Sequence, residues 1–159
     1  MKKFFLLILF INLFCSAALG VENPKVRNLQ GVSSLQIVIE EPTRDARQAG
    51  IKEEAIKNQV MAIFKKELPK LKIGAKEGPS LYIRVALYKR KTEDLYYGMI
   101  NITVDRAVLI LSPQGNFPSF SQVWENTMIF SGKDALLGTY EMIAKLLQLL
   151  IADLKKANP

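Results

Sequence analysis

Three stretches of the sequence decide the fold: SLYIRVALYK at residues 80–89, LYYGMINITVDRAVLILS at 95–112 and FSQVWENTMIFS at 120–131. Apolar and polar residues alternate along each of them, a pattern typical of strands that bury one face. The segments that join them are too short for the crossover that parallel strands require. The sequence therefore predicts an antiparallel three-stranded meander.

The segments around the meander complete the fold. Ser33–Glu41 also alternates and predicts a strand, while Leu71–Ile73 is a candidate edge strand. Lys52–Leu68 has apolar residues at helical spacing, and a second helical pattern follows Asp134 and ends near Ala157. The main order is β-α-β-β-β-α. It predicts an α+β two-layer sandwich, with a largely antiparallel sheet and two helices on one face.

The start of the chain has the pattern of a signal peptide. Lys2 and Lys3 form a short basic region before an apolar run at residues 4–14. Ala18 and Gly20 then form an A-x-G cleavage site. An uncleaved anchor is the weaker alternative, because the apolar run falls short of the roughly 20 residues that a bilayer-spanning helix needs.

Cleavage there gives a signal peptide, residues 1–20, and a single domain, residues 21–159, in which residues 21–32 are predicted to be a flexible arm. A lipoprotein anchored at Cys15 is the alternative, but Phe14 is too bulky for the position before a lipidated cysteine. We expect the protein in the periplasm or outside the cell, with no transmembrane segment left after cleavage.

The charge of the chain is basic and scattered. Lys and Arg number 22 against 15 Asp and Glu, so the formal net charge is +7, and the loss of Lys2 and Lys3 with the signal peptide lowers it to +5. Charges of both signs are mixed along the sequence. A solvated mixed surface is therefore favoured over a dedicated site for an anionic partner.

The residue inventory argues against an enzyme. Histidine is absent, and the one cysteine, Cys15, lies in the predicted signal peptide. These absences remove the commonest general base, the Ser-His and Cys-His nucleophile pairs, and histidine or thiolate metal sites. Neighbouring carboxylates such as Glu53 and Glu54 diverge on a helix. We expect no catalytic, cofactor-binding or metal-binding residues.

Aromatic and basic residues gather on the outward face of the first meander strand and around the hairpin after it. They are Tyr82, Arg84, Tyr88, Arg90, Tyr96 and Tyr97. Such a composition occurs on ordinary sheet surfaces, on protein-binding surfaces and on platforms for single-stranded nucleic acid. Because export argues against nucleic acid, the set is a candidate surface for another exported protein.

The last helix carries a wider apolar arc than one packed face requires. Met142, Leu146 and Leu149 extend the arc to one side. In one interpretation they pack against the first helix. In the other they form a surface for self-association or for another protein.

Several features together carry a family resemblance: the opening strand at residues 35–41, the Ala49-Gly50-Ile51 link before the helix, Trp124 in the meander and the ending at residues 157–159. In these features the chain resembles a broad group of small exported bacterial α+β proteins that have no established activity. Lys52 departs from that group, which usually has Thr or Ser at this position. The element order also resembles small periplasmic assembly factors of the outer membrane. Neither resemblance implies functional residues.

Together these observations predict an exported, non-catalytic binding or accessory protein, with a periplasmic assembly factor as one form of that role. The alternative is a binder of a small molecule or lipid between the sheet and its helices. A hydrolase that works without histidine is the third interpretation.

The signal peptide generates the first testable prediction. We expect the intact mass of the exported protein to correspond to a chain that begins at or near Val21 and carries no lipid, because of the A-x-G site and the bulky Phe14. A mass that includes Cys15 and acyl chains would contradict it.

Overall fold

The computed structural model describes residues 23–159, so the predicted signal peptide lies outside the described residues. The helices and strands in chain order are α1 (Pro24–Arg27), β1 (Ser34–Ile39), α2 (Arg44–Gln48), α3 (Glu53–Glu67), β2 (Lys72–Ile73), β3 (Ser80–Arg90), β4 (Leu95–Ser112), β5 (Gly115–Gly132) and α4 (Ala135–Ala157). The fold is α+β, as the sequence predicts. Two short helices, α1 and α2, were not predicted.

The five strands form one mixed sheet in the order β2-β1-β3-β4-β5. The predicted meander is confirmed, because β3 pairs with β4 and β4 pairs with β5, both antiparallel. However, β1 pairs in parallel with β2 and with β3. The sheet is therefore mixed: most of its pairing is antiparallel, as predicted, and the parallel pairing of β1 was not predicted. The chain between β1 and β3 includes α2 and α3, and it is long enough for a parallel crossover.

The core lies on one face of the sheet. Alternate residues in the middle of the sheet, on β3 and β4, are buried there, namely Leu81, Ile83, Val85, Leu87, Ile100, Ile102 and Val104. Helix α3 turns Ile56, Val60 and Phe64 into this core, and its charges follow the helix dipole, with Glu in the first turn and Lys in the last. Helices α3 and α4 contact each other and contact the strands.

The segment predicted as a leading arm belongs to the domain from Asn23 onward. Helix α1 and the residues after it bury Val26, Leu29 and Val32. Asn158, which follows α4, accepts a hydrogen bond from the Gly31 N–H at 2.8 Å and donates one to the Leu29 carbonyl at 3.1 Å. The prediction of an arm was wrong here. Val26, Leu29 and Val32 recur at a spacing of three residues, but Pro24 and the nearby charged residues make this apolar pattern hard to recognise in the sequence.

Two aromatic residues join β5 to α4. Trp124 is almost fully buried, and its Nε1 donates a hydrogen bond to Asp153 Oδ2 at 3.0 Å. The ring of Phe130 lies so close to Gly138 that a Cβ there would be 2.2 Å from it. Glycine is therefore required at position 138 for α4 to pack this closely against Phe130 of the sheet.

Strands β4 and β5 are much longer than β3. The last pair between β3 and β4 is Ser80 with Asp105, whereas β4 and β5 remain paired as far as Ser112 and Gly115. An irregularity in the register between Val104 and Asp105 marks the point of departure. We call the two-stranded extension beyond it, residues 106–121, the ribbon. The strand predicted from Phe120 therefore begins earlier, at Gly115.

The burial of Trp124 generates a stability prediction. Trp124→Ala should lower the free energy of unfolding by about 3–5 kcal/mol, because it leaves a cavity beside α4 and removes the donor to Asp153. Chemical denaturation followed by circular dichroism measures this change. Leu137→Ala is the matched control, since Leu137 is 58% exposed and should cost about 0.5 kcal/mol or less. Equal effects of the two substitutions would contradict the prediction.

Candidate functional site

The outer face of the sheet, opposite the core, holds most of the predicted aromatic and basic residues. Tyr82, Arg84, Tyr88 and Arg90 alternate with the buried residues of β3 and so point away from the core. Tyr97 lies opposite Tyr88 on β4, and the centroids of their rings are 6.0 Å apart. The structure therefore brings Tyr88 and Tyr97 together at one end of this face.

Tyr96 lies on the core side of the sheet instead. It pairs with Lys89, whose Nζ is 5.3 Å from the centroid of the Tyr96 ring, and it packs partly buried against the core. Successive residues of a strand point to opposite faces, so Tyr96 and Tyr97 belong to different surfaces. The predicted set does not form one surface.

Tyr82 and Arg84 are held by Glu40, which follows β1. The Tyr82 hydroxyl donates to Glu40 Oε2 at 2.8 Å, and Arg84 Nε lies 3.4 Å from Glu40 Oε1. The hydrogen bond to Glu40 raises the pKa of Tyr82 above 10.0, with burial and the Glu40 charge adding to the shift. The first role of these two side chains is to tie β1 to β3.

Lys89 and Arg90, the last two residues of β3, also have acidic partners. Lys89 Nζ is 2.6 Å from Asp94 Oδ1, and Arg90 Nη1 is 3.1 Å from Glu93 Oε1. The Lys89–Asp94 pair raises the pKa of Lys89 and lowers that of Asp94. Because Lys89 and Arg90 each face a carboxylate, these two cations offer little net attraction to an anionic ligand.

The structure separates the three residues predicted to widen the apolar arc of α4. Leu146 is fully buried and Met142 packs partly buried against the core, whereas Leu149 is 44% exposed. The placement of Met142 and Leu146 agrees with internal packing. Of these three residues, only Leu149 is exposed at the surface.

The ribbon carries the apolar surface that the sequence analysis missed. In the pairing of β4 with β5, two residues that lie opposite each other point to the same face of the ribbon. The front face continues the outer face of the sheet and consists of Ala107, Leu109, Leu111, Asn116, Pro118 and Phe120. The back face continues the core side and includes Val108, Ile110, Phe117 and Ser119. Exposures of 79% at Phe120, 74% at Leu111 and 51% at Phe117 show that both faces are open.

Two signals in the sequence mark the ribbon. Residues 107–124 contain no charged side chain, although charged residues make up 23% of the chain. Residues 107–111 are also apolar without interruption, so the alternation that defines a half-buried strand is lost there. The strand prediction treated this run as one more buried strand.

A cleft lies at one end of the two long helices, next to the start of β1. Its volume is about 450 Å³, and it is lined mostly by apolar side chains, including Val32, Leu68, Leu71 and Leu154. Two of its polar residues already have partners: Glu67 pairs with Lys155 at 3.1 Å, and Asn158 bonds to backbone groups. The cleft lies at the helix ends rather than between the sheet and the helices.

Residues 23–159 show no group of three or more His, Cys, Asp or Glu side chains that could hold a metal ion. Helix α4 is the one helix in this part of the chain that is long and apolar enough to cross a membrane. Its apolar residues also include core residues such as Ile143, Leu147 and Leu150. Its length and composition are thus also those of a core helix.

Comparison with known proteins gives no relative: no protein-family model, no curated protein and no solved structure matches the chain.

The contact between Glu40 and Tyr82 generates a prediction about ionisation. In the folded state the raised pKa favours protonated Tyr82, so this contact stabilises the fold below pH 10.0 and is lost as the pH rises through the folded pKa. Glu40→Gln should lower the pKa of Tyr82 toward 10.0, as measured by tyrosinate absorbance against a Tyr82→Phe reference. Glu41→Gln, at a neighbouring exposed carboxylate that pairs with Arg47, should leave it unchanged. An unchanged titration in Glu40→Gln would contradict the assignment.

Proposed function

We propose that this chain is an exported, non-catalytic accessory protein that binds a protein partner through the ribbon. The observation that carries the proposal is the exposure of large apolar side chains on both faces of the ribbon. Burying one such side chain contributes about 1.5–3 kcal/mol. Exposed apolar patches of this kind mark interaction sites.

The position of the apolar residues along the ribbon favours a protein over a lipid bilayer. They lie in the middle of the ribbon, between the polar turn at residues 112–116 and the polar residues Asp105 and Arg106 at its base. If the ribbon entered a bilayer, its polar turn would have to enter the apolar interior ahead of the apolar residues. It would also leave the backbone groups at the edges of a two-stranded ribbon without partners. A protein surface can cover the apolar middle while both polar ends stay in water.

The rest of the domain fits the role of a support. The proposal includes a two-layer layout in which both long helices cover one face of the sheet. The outer face and the ribbon are then free for a partner. Arg106 donates to the carbonyls of Asn28 and Gln30, so the base of the ribbon is fixed to the α1 segment. The resemblance to small exported bacterial proteins and the signal-peptide pattern support a location outside the cytoplasm.

The cleft at the helix ends supports a second candidate, the binding of a small apolar molecule or a lipid tail. Its volume of about 450 Å³ lies within the range of ligand sites. Glu67 and Asn158, two of the polar residues that line it, already bond to other groups of the domain, which leaves fewer polar groups to orient a ligand. The ribbon therefore carries the stronger proposal.

Site-specific photocrosslinking in the producing cell tests the proposal. A benzophenone amino acid at Phe120, on the front face of the ribbon, should give a covalent protein adduct, because this side chain is 79% exposed and would lie in the interface. The adduct is detected by its mass after purification. The matched control is the same amino acid at Lys57, an exposed position on α3 far along the chain from the ribbon.

The control position should give no adduct. If Phe120 also gives no adduct while the variant is folded and exported, the proposal is wrong. If Lys57 gives the same adduct as Phe120, the contact does not belong to the ribbon.

A further inference from the structure

We propose that the open edge of β4 in the ribbon binds an extended, uncharged segment of another protein, which pairs with Ala107, Leu109 and Leu111 as an added strand. This inference rests on the proposed function and deepens it, since it names the kind of segment that the ribbon recognises. Apolar side chains alone fit many partners. A row of unpaired backbone N–H and C=O groups is matched, among protein partners, by another extended backbone.

The turn of the ribbon shows which backbone groups point outward. Ser112 and Gly115 close a two-residue turn, so they exchange hydrogen bonds with each other. Every second residue of β4 from there, at positions 110, 108 and 106, also bonds to β5. The residues between them, at positions 107, 109 and 111, direct their N–H and C=O groups to the opposite edge of β4.

The hydrogen bonds of β1 lead to the same assignment. The Gln36 N–H donates to the Pro79 carbonyl at 2.9 Å, so Pro79 points to β1 and the next residue, Ser80, points to β4. Ser80 lies opposite Asp105, and odd-numbered residues of β4 therefore point toward β3. In the described residues 23–159, no strand pairs with this edge of β4 beyond Asp105.

The other edges of the sheet carry features that hinder strand addition. Strand β2 is only two residues long. On β5, Pro118 has no N–H to donate, the register is irregular between Gln122 and Trp124, and Lys25 Nζ donates to the Glu125 carbonyl at 2.7 Å. Folded proteins use such features to keep sheet edges from pairing with other chains.

The ribbon edge of β4 has none of these features. Residues 107–112 contain no proline and no charge, and their pairing with β5 is regular. Beyond Glu125, β5 packs its core face against α4, where the Phe130 ring lies beside Gly138. Among the described strands, the ribbon is thus the place where an open edge has exposed apolar side chains on both faces.

The side chains beside this edge define the chemistry of the partner segment. Leu109 and Leu111 are 58% and 74% exposed on the front face, and Ile110 is 50% exposed on the back face. An added strand places its alternate side chains next to these residues on both faces. Residues 107–124 offer no charge to pair with a charged side chain. The matching segment is therefore uncharged and apolar on both faces.

The charge of the chain favours a different protein over a second copy as the source of this segment. The net charge is +7, and it is still +5 without Lys2 and Lys3. Two copies therefore repel each other, whereas a neutral or acidic protein avoids this repulsion.

Amide hydrogen exchange of the purified chain, followed by NMR, tests whether the edge is open. The N–H groups of Leu109 and Leu111 should exchange roughly tenfold faster than those of Val108 and Ile110, because only the latter pair bonds to β5. Equal exchange rates at the four positions would overturn the inference.

A proline substitution tests the added strand itself. Leu109→Pro removes one outward N–H and leaves the bonds of Val108 and Ile110 to β5 in place. It should lower the yield of the Phe120 photoadduct by about tenfold, whereas Leu109→Ala, which keeps the N–H and loses the side chain, should lower it less than threefold. Thermal melts of the purified variants check folding. If Leu109→Pro unfolds, Leu111→Pro and Leu111→Ala give the same comparison.

The register of the crosslinks tests the geometry. The benzophenone amino acid is placed at positions 107, 109 and 111 in turn, and the attachment point on the partner is located by mass spectrometry of the digested adduct. Strand pairing requires this point to move steadily along one segment, by about four residues between positions 107 and 111. Attachment points scattered over several segments would overturn the added strand.

The Phe120 photoadduct also separates a failure of this inference from a failure of the proposed function. No adduct with the wild-type chain overturns both. An adduct whose yield falls equally in Leu109→Pro and Leu109→Ala keeps protein binding at the ribbon and overturns the added strand. An adduct of twice the chain mass shows a second copy at the ribbon and overturns a different protein as the source of the segment.

Discussion

The pairing of β4 with β5 over the whole length of both strands is the interaction on which the structure depends. As far as Asp105, β4 has a strand on each edge, and it buries Ile100, Ile102 and Val104 completely. Beyond Asp105, β3 no longer accompanies it. The same two strands that centre the core thus continue as a ribbon, and its apolar side chains remain largely exposed within the described part of the chain.

Close packing between β5 and α4 on the core side of the sheet fixes the direction in which the ribbon extends. Phe130 lies against Gly138, and Trp124 bonds to Asp153, so β5 and α4 are joined at two places. The α1 segment then connects the end of α4, through Asn158, with the base of the ribbon, through Arg106. Because these contacts involve buried or backbone groups, the ribbon is an extension of the folded domain rather than a loop attached to it.

The electrostatics of the surface agree with recognition by apolar contact. Arg84, Lys89 and Arg90 each face a carboxylate, so these three cations attract anions weakly. The ribbon has no charge between residues 107 and 124. A partner that covers it meets no buried ion that would require compensation, which is why the proposals centre on the ribbon and not on the predicted aromatic and basic set.

The sequence by itself determined the elements whose partners lie nearby in the chain. Alternation revealed the meander, and helical spacing revealed α3 and α4, because those periods reflect local geometry. Tertiary structure alone decided that β1 is parallel to β3, that Tyr96 and Tyr97 face opposite sides, that Leu146 is buried while Leu149 is not, and that Leu109 and Phe120 are exposed. Alternation shows that a strand has two faces, but burial depends on which distant segment covers each face, and the exposure of Leu109 and Phe120 shows that no described segment covers that face of the ribbon.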